Sequence, residues 1–345
     1  MRFDDQTRIA VAGAGSIGCY AGACLALAGR RVALLARPRI VDAVTGAGLA
    51  VRDLDGTQRQ LPAGRVQASA DPAAVLANAD IVLVTVKSGA TQEMARLVAR
   101  HARPGAVVVS LQNGVANPAA LRAGLGARHP VVAGMVPFNV VAAMPADGAP
   151  VFHRATEGTT LVDPAPQRLA AFLDVAGFPV SAAADMDAVL WGKLLLNLNN
   201  ALNALSGLPL ADELADRRWR RVLAVQIAEA LGAMKAAGIR PARIGRLRSG
   251  LLPAVLRLPD PLFRRLARRM LAVDPAARSS MWEDLERGRP TEIDQFQGAV
   301  IALAERHGRA APANRAVLAA IRRAEQAGRG APRLQPEAVL PQAGR

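Results

Sequence analysis

One stretch near the amino terminus restricts the fold more than any other. The apolar run Arg8-Ile-Ala-Val-Ala12 leads into Gly13-Ala14-Gly15-Ser16-Ile17-Gly18. Small residues then continue to Gly29, and Arg31-Val-Ala-Leu-Leu-Ala36 is apolar again. A Gly-x-Gly-x-x-Gly turn is weak on its own. Set between a strand and a helix, with a second strand following, it predicts a dinucleotide-binding βαβ unit. Gly13 permits the tight turn, Gly15 lets a pyrophosphate approach the backbone, and Gly18 lets the helix lie on the sheet. The helix amino terminus then offers unpaired N–H groups and the positive end of its dipole to the phosphates. All six residues from Gly13 to Gly18 are therefore candidate cofactor contacts.

The end of the second strand is where an acidic side chain would bind the ribose 2′-hydroxyl of NAD. Here Arg37 stands there, with Pro38-Arg39 behind it. A guanidinium can meet a 2′-phosphate with two parallel charge-assisted hydrogen bonds, so the expected cofactor is NADP(H). The other reading of Arg37 is a solvated charge in an arginine-rich chain.

Downstream, residues 48 to 67 read as a short β excursion turning at Asp55-Gly56. The α/β alternation then resumes. Asp80-Ile-Val-Leu-Val-Thr-Val-Lys87 is apolar enough to be a buried parallel strand with a charge at its carboxyl end. A helix is expected over Thr91 to His101, then the strand Ala106-Val-Val-Val-Ser-Leu111, which ends in Gln112-Asn113-Gly114. The strand Val131-Val-Ala-Gly-Met-Val136 leads to Pro137-Phe-Asn-Val140. Ligands of doubly wound sheets sit at the carboxyl ends of the strands, which puts Lys87, Asn113 and Val140 beside the glycine turn. After about Asp185, helical spacing replaces strand patterns. The expected fold class is α/β, a Rossmann-type doubly wound sheet over residues 1–183 followed by a mostly helical domain over 184–328. Residues 329–345 read as a loose tail.

A chain of 345 residues with 51% hydrophobic content buries a core of this size readily. It contains no apolar run long enough to span a membrane, and Met1-Arg-Phe-Asp-Asp-Gln-Thr-Arg8 carries acidic residues and no apolar h-region, so a cytoplasmic protein is expected. Cys19 and Cys24 share the first helix at a spacing that suits neither a disulfide nor a metal, and read as small core residues. No metal is expected. The net charge of +15 raises nucleic acid as a partner, but the arginines are interspersed with acids and aromatics make up only 3%, which argues against it. A small acidic ligand fits the charge as well. Of 43 basic residues only Lys87, Lys193 and Lys235 are lysine, so a lysine that remains is a candidate for amine chemistry.

One such lysine lies in Trp191-Gly-Lys193-Leu-Leu-Leu-Asn197-Leu-Asn199-Asn200-Ala-Leu-Asn203. On a helix Lys193, Asn197 and Asn200 share one face while Leu194, Leu195 and Leu198 pack elsewhere. A lysine and two amides are costly to bury without partners, so they present themselves to a polar ligand, or serve helix capping or interdomain hydrogen bonds. Ser279-Ser280-Met-Trp-Glu283 reads either as a capping box or as part of the site, and Thr291 as a possible helix start beside Glu292.

The combination of Gly13-Ala-Gly-Ser-Ile-Gly18, Thr85-Val-Lys87, Leu111-Gln-Asn113-Gly114, Trp191-Gly-Lys193-Leu-x-x-Asn197, Ser279-Ser280-Met and Thr291-Glu292-Ile-Asp294 resembles the ketopantoate reductase (2-dehydropantoate 2-reductase) family. The resemblance runs in order from about Arg8 to Asn314. It implies NADPH-dependent reduction of ketopantoate, a step of pantothenate and coenzyme A biosynthesis. By this resemblance Lys193 donates the proton to the keto oxygen, and Asn113 contacts both cofactor and substrate. Lys87 and Arg37 serve NADPH, Glu292 completes the site near Lys193 and the nicotinamide ribose, and Asn197 and Ser280 hold the substrate, with Asn200 as a further contact.

The chain departs from the family pattern at Ala201, Ala211 and Ala277, where polar residues are expected. A different 2-keto acid, a β-hydroxyacid dehydrogenase activity, or a non-catalytic NADP(H)-binding regulatory role are the alternatives. The arginine-rich segment Arg240 to Arg269 reads as a dimer face, a solvated helix or a lid, and a homodimer stays open.

Overall fold

The computed structural model of the chain describes residues 3–145, 148–243, 247–266 and 277–340, in two compact units, Met1–Met186 and Asp187–Arg345. The first unit runs β1 (Arg8–Ala12), α1 (Ser16–Leu27), β2 (Arg31–Leu35), α2 (Pro38–Ala47), β3 (Leu49–Arg52), β4 (Gln58–Leu61) and β5 (Gln67–Ser69). It continues with α3 (Pro72–Leu76), β6 (Ile81–Val84), α4 (Thr91–His101), β7 (Val107–Ser110), α5 (Asn117–Leu125) and β8 (Val131–Met135). β9 (Val140–Ala143), β10 (Val151–Arg154), β11 (Thr160–Val162), α6 (Leu169–Leu173) and β12 (Val180–Ala182) complete it.

The central strands are continuous aliphatic runs because both of their faces are covered. Side chains alternate across a strand, so each run feeds two cores. Ile9, Val11, Ile81, Leu83, Val107 and Val109 pack on the α1 side, whereas Ala10, Ala12, Val82, Val84 and Val108 pack against α3, α4 and α5. The resulting eight-stranded sheet has the order β12-β11-β8-β7-β6-β1-β2-β5. Its strands pair in parallel except where β11 meets β8. This is the Rossmann-type doubly wound sheet that the glycine turn predicts. The β excursion after α2 forms the hairpin of β3 and β4, which joins β10 and β9 in a second sheet of order β4-β3-β10-β9. Val140, expected beside the glycine turn, heads β9 in that smaller sheet. Cys19 and Cys24 are free and fully buried on α1, and burial pushes the two thiols up to about 12 and about 11, which keeps them protonated and inert.

The second unit is helical. It comprises α7 (Met186–Asn197), α8 (Asn199–Ser206), α9 (Leu210–Ala215), α10 (Arg217–Ala236), α11 (Leu252–Leu256), α12 (Asp260–Leu266) and α13 (Ser280–Glu286). α14 (Ala299–Arg306), α15 (Pro312–Ala327) and α16 (Pro336–Val339) follow. Arg220 on α10 is fully buried and organises the middle of the arginine-rich segment. Its guanidinium donates to the Leu256 and Leu258 carbonyls at 3.1 and 3.0 Å, bonds the Asp260 carboxylate at 2.7 Å, and lies 4.1 Å from the centroid of the Phe263 ring. That part of the segment is a packed element; residues 244–246 and 267–276 lie outside the described residues.

The reading of residues 329–345 as a loose tail needs correction over residues 329–340. Leu334 N–H donates to Leu205 O at 2.8 Å, Ala331 N–H to Glu286 Oε1 at 2.9 Å, and Pro336 and Val339 of α16 are buried. The polar, proline-rich composition that suggests a loose tail conceals a few apolar anchors, and these suffice to dock it. Residues 341–345 lie outside the described residues. Among the described residues no helix is long and apolar enough to cross a membrane.

Candidate active site

The glycine turn owes its shape to contacts that only hydrogen at Cα allows. Gly13 has φ +91°, and a Cβ there would stand 2.2 Å from Val86 Cγ1 and 3.0 Å from the Val86 nitrogen. At Gly18 a Cβ would come within 2.5 Å of Thr85 Oγ1 and 2.9 Å of Val11 Cγ1, so α1 rests directly on β1 and on the end of β6. Thr85 Oγ1 donates to Gly13 O at 2.8 Å, and the Gly13 and Ala14 N–H groups both donate to Leu35 O, at 3.1 and 2.8 Å. These bonds fix the turn against the end of β2.

Gly15 faces the other way. A Cβ there would meet nothing nearer than Gly13 O at 4.0 Å. α1 starts immediately after it with no side-chain cap and no acidic residue in its first turn. An exposed helix amino terminus with no carboxylate on it, approached across open space, fits an anionic pyrophosphate. Arg37 is exposed two residues beyond Leu35, the residue whose carbonyl pins the turn.

Lys87 and Asn113 follow β6 and β7 on loops held by a buried polar network that the sequence reading did not identify. Gln112 Nε2 donates to Val86 O at 3.0 Å and to Thr91 Oγ1 at 2.7 Å, and Thr91 Oγ1 donates to Asn117 Oδ1 at 2.8 Å. Asn117 Nδ2 donates to Ser88 Oγ at 2.9 Å, and the Asn113 carbonyl accepts from both Ser88 Oγ and Asn117 Nδ2. Ser88, Thr91, Gln112 and Asn117 are all buried, so both loops are locked before any ligand arrives. The sequence signal was present: polar residues interrupt two strand ends that are otherwise aliphatic.

In the second unit Lys193, Asn197 and Asn200 are half-buried, while Leu194, Leu195 and Leu198 are buried, as the helical spacing predicts. The stripe crosses a break, since α7 ends at Asn197 and α8 begins at Asn199. Desolvation pulls the Lys193 ammonium down to about 8, with the Glu292 carboxylate opposing that fall. Lys193 and Glu292 are thus electrostatic neighbours.

Ser279 divides its roles. Its Oγ accepts from Trp282 N–H at 3.2 Å as the cap of α13, and donates to Asn200 O at 2.9 Å. Its own N–H donates to Asn203 Oδ1 at 2.8 Å. The capping reading therefore holds for Ser279, and Ser280 is the exposed first residue of α13. Thr291 Oγ1 accepts from Ile293 N–H at 3.3 Å, which starts the next helical turn just after Glu292.

Beneath α8 lies a carboxyl that no sequence pattern singles out. Glu213 is fully buried; its Oε2 accepts from Asn199 Nδ2 at 3.1 Å and from Asn203 Nδ2 at 3.3 Å. Among the described residues, Glu213 Oε1 and Asn199 Oδ1 are both buried acceptors with no donor. Burial pushes the Glu213 carboxyl up to about 8, against those two amide bonds. One proton on Oε1 removes the buried charge and turns an orphaned acceptor into a donor.

Beside the stripe, Leu195, Leu196, Asn200, Leu210, Leu214 and neighbouring aliphatic side chains line a cavity of about 180 Å³. Leu196, 43% exposed, is an exception among the leucines of α7. Among the described residues no group of His, Cys, Asp or Glu side chains is arranged to hold a metal ion.

Residues 9–167 match the family described as ketopantoate reductase PanE/ApbA, and residues 185–325 match its C-terminal domain. A 2-dehydropantoate 2-reductase from Halobacterium salinarum is 29% identical over 330 residues, covering 93% of this chain and all of that one. A PanE/ApbA family ketopantoate reductase structure from Ralstonia eutropha JMP134 superposes with a TM-score of 0.78 at 32% identity, covering 93% of this chain and 99% of the other. A D-mandelate dehydrogenase in ternary complex with NADH and anilino(oxo)acetate gives a TM-score of 0.75 at 18% identity, covering 93% and 99%, and shares the fold.

Proposed function

Since this chain belongs to the ketopantoate reductase family and is an oxidoreductase of that family, we propose that it reduces 2-dehydropantoate to pantoate with NADPH, as a cytoplasmic enzyme of pantothenate biosynthesis. The observation that carries this reading is Lys193. The chain uses arginine almost everywhere a positive charge is needed, yet keeps a half-buried lysine here, beside a carboxylate, with its ammonium near the point of releasing a proton.

Residues Gly13 to Gly18 would hold the dinucleotide's pyrophosphate and Arg37 its 2′-phosphate, with Lys87, Asn113 and Val140 as further contacts. A bound reduced nicotinamide supplies the hydride for the keto carbon. Negative charge then grows on the substrate's keto oxygen, and the Lys193 ammonium stabilises it and delivers a proton from Nζ. Arginine cannot do this, because its guanidinium does not give up a proton near neutral pH. Glu292 holds Lys193 in its charged form, countering desolvation. Asn197, Asn200 and Ser280 bind and orient the keto acid, and Asn113 meets both substrate and cofactor. The locked loops around Gln112 and Asn117 keep Asn113 in place without cost at the moment of reaction.

A second reading is favoured by one set of positions. Ala201 is fully buried and Ala211 and Ala277 are half-buried where the family pattern expects polar side chains, and the neighbouring cavity is walled largely by leucines, with Asn199 and Asn200 its polar side chains. A 2-keto acid with a branched or aromatic side chain suits such walls better than one with hydroxyls. Steady-state NADPH oxidation with ketopantoate against 3-methyl-2-oxobutanoate, 4-methyl-2-oxopentanoate and phenylglyoxylate decides between them. The highest kcat/KM with ketopantoate supports the first reading, and a preference for the apolar acids the second. No oxidation with any of the four refutes both.

Cofactor choice has its own test. Arg37→Ala is expected to raise KM for NADPH by about 10- to 100-fold, the loss of a charge-assisted pair worth about 1.5–3 kcal/mol, with KM for NADH nearly unchanged. Equal effects on the two cofactors would remove Arg37 from the 2′-phosphate site.

A further inference from the structure

Glu292 and Lys193 come from segments a hundred residues apart in sequence, so their separation depends on whatever ties those segments together. The glutamate lies just ahead of a π-helical turn, Asp294–Gly298, that leads into α14. A turn with one extra residue redirects the side chains after it, and such turns are frequent at functional sites. Here the turn leaves Asp294 outside, where it bonds Arg322 of α15 at 2.7 Å, and buries Gln297 completely.

Gln297 Nε2 donates one N–H to Leu198 O at 3.0 Å and the other to Gln226 Oε1 of α10 at 3.0 Å. Leu198 is the residue between α7 and α8, directly after Asn197 and one and a half turns beyond Lys193. Two acceptors facing one NH₂ group fix the orientation of this amide. The Gln226 backbone is held in turn, its main-chain carbonyl accepting from Asn314 Nδ2 at 3.1 Å. Upstream of Glu292, Thr291 N–H donates to Glu325 Oε1 of α15 at 2.7 Å. The glutamate's segment is thus anchored to α15 through Thr291 and Asp294, and to the lysine's helix through Gln297.

We infer that Gln297 is a positioning residue that sets the spacing of Glu292 and Lys193 by tying the π-helical turn to the α7–α8 junction. Its two N–H donors go to Leu198 O and Gln226 Oε1, so it acts through position. A side chain of equal length without the two N–H donors leaves the Leu198 and Gln226 oxygens with a lost partner, and the two segments relax apart. Of the two influences on the Lys193 ammonium, desolvation lowers its pKa and the Glu292 charge raises it. A longer Glu292–Lys193 distance weakens the second, so the pKa falls further. The catalytic meaning of this shift rests on the reading of Lys193 as proton donor.

The chain has only three lysines, so protein labelled with ¹³C at lysine Cε gives three side-chain signals, assignable by single Lys→Arg variants. In Gln297→Met the Lys193 signal is expected to titrate lower than in the wild type by about half a pH unit or more, with Lys87 and Lys235 unmoved. The alkaline limb of kcat for reduction is expected to move down with it. Gln226→Leu keeps Gln297's bond to Leu198 O and removes its second anchor; it is expected to give a smaller shift of the same sign, and it carries the test if Gln297→Met does not fold. A merely structural glutamine lowers the melting temperature and leaves the Lys193 titration where it was. An unchanged or raised Lys193 pKa in folded variants overturns the inference. Failure of the wild type to oxidise NADPH with any keto acid overturns the proposed reaction instead, and leaves the titration result standing.

Discussion

Lys193→Arg is expected to lower kcat for keto-acid reduction by about a hundred- to ten-thousand-fold, the usual contribution of a placed general acid, while NADPH binding measured by fluorescence titration stays as in the wild type. The charge is retained and the transferable proton is lost, so the substitution separates electrostatic stabilisation from proton delivery. Lys193→Met serves as the control for the bulk of arginine and is expected to lose at least as much. In the wild type, reduction requires the protonated amine. Its rate is therefore expected to be flat at lower pH and to fall as pH rises through about 8, the value to which burial brings Lys193. A kcat near the wild-type value in Lys193→Arg would remove this lysine from the proton-donor role.

Glu213→Gln is expected to flatten a large pH dependence of stability in the helical unit. The Glu213 carboxyl sits at about 8 in the folded chain against 4.5 for the free group. Between those values the folded state holds a proton that the unfolded chain has released, so raising the pH favours unfolding. The penalty begins near pH 4.5, grows up to about pH 8 and then levels off. At about 1.4 kcal/mol per pH unit this amounts to roughly 5 kcal/mol across the window.

Glutamine keeps the acceptor for Asn199 and Asn203 and supplies a permanent donor where the proton would be. The variant should match the wild type near pH 4.5 and exceed it in urea midpoint near pH 9. All three tryptophans, Trp191, Trp219 and Trp282, lie in the second unit, so tryptophan fluorescence, excited to the red of the absorption of Tyr20, reads that unit alone. The same midpoint-against-pH slope in both proteins would show that Glu213 ionises normally.

Both residues bear on how much could be read from the chain itself. Lys193 was legible because local facts identify it: its rarity, its place on a helical stripe with Asn197 and Asn200, and the motif around it. Glu213 was not legible. In sequence it is one acid among 28, on a short helix, and its unusual state arises from the Asn199 and Asn203 amides that close over it. Gln297 is similar, since an ordinary glutamine acquires its role only when the π-helical turn sends it inward to Leu198 O. Gln112 and Asn117 fall between these cases: their polarity at strand ends is visible, but the partners that make them a lock are on other loops. Residues 329–340 dock through a few buried residues that an average over composition conceals.

Local geometry and periodicity suffice for the glycine turn, the aliphatic strands buried on both faces, the change to a helical second unit, and the lysine stripe. These follow from steric limits at Cα and from the two- and 3.6-residue repeats, which act over a few residues. Tertiary structure alone decided which polar groups are buried and what charge they carry there. Desolvation and hydrogen-bond partners come from segments distant in the chain, and a carboxyl at position 213 has no special pKa until the fold takes water away from it.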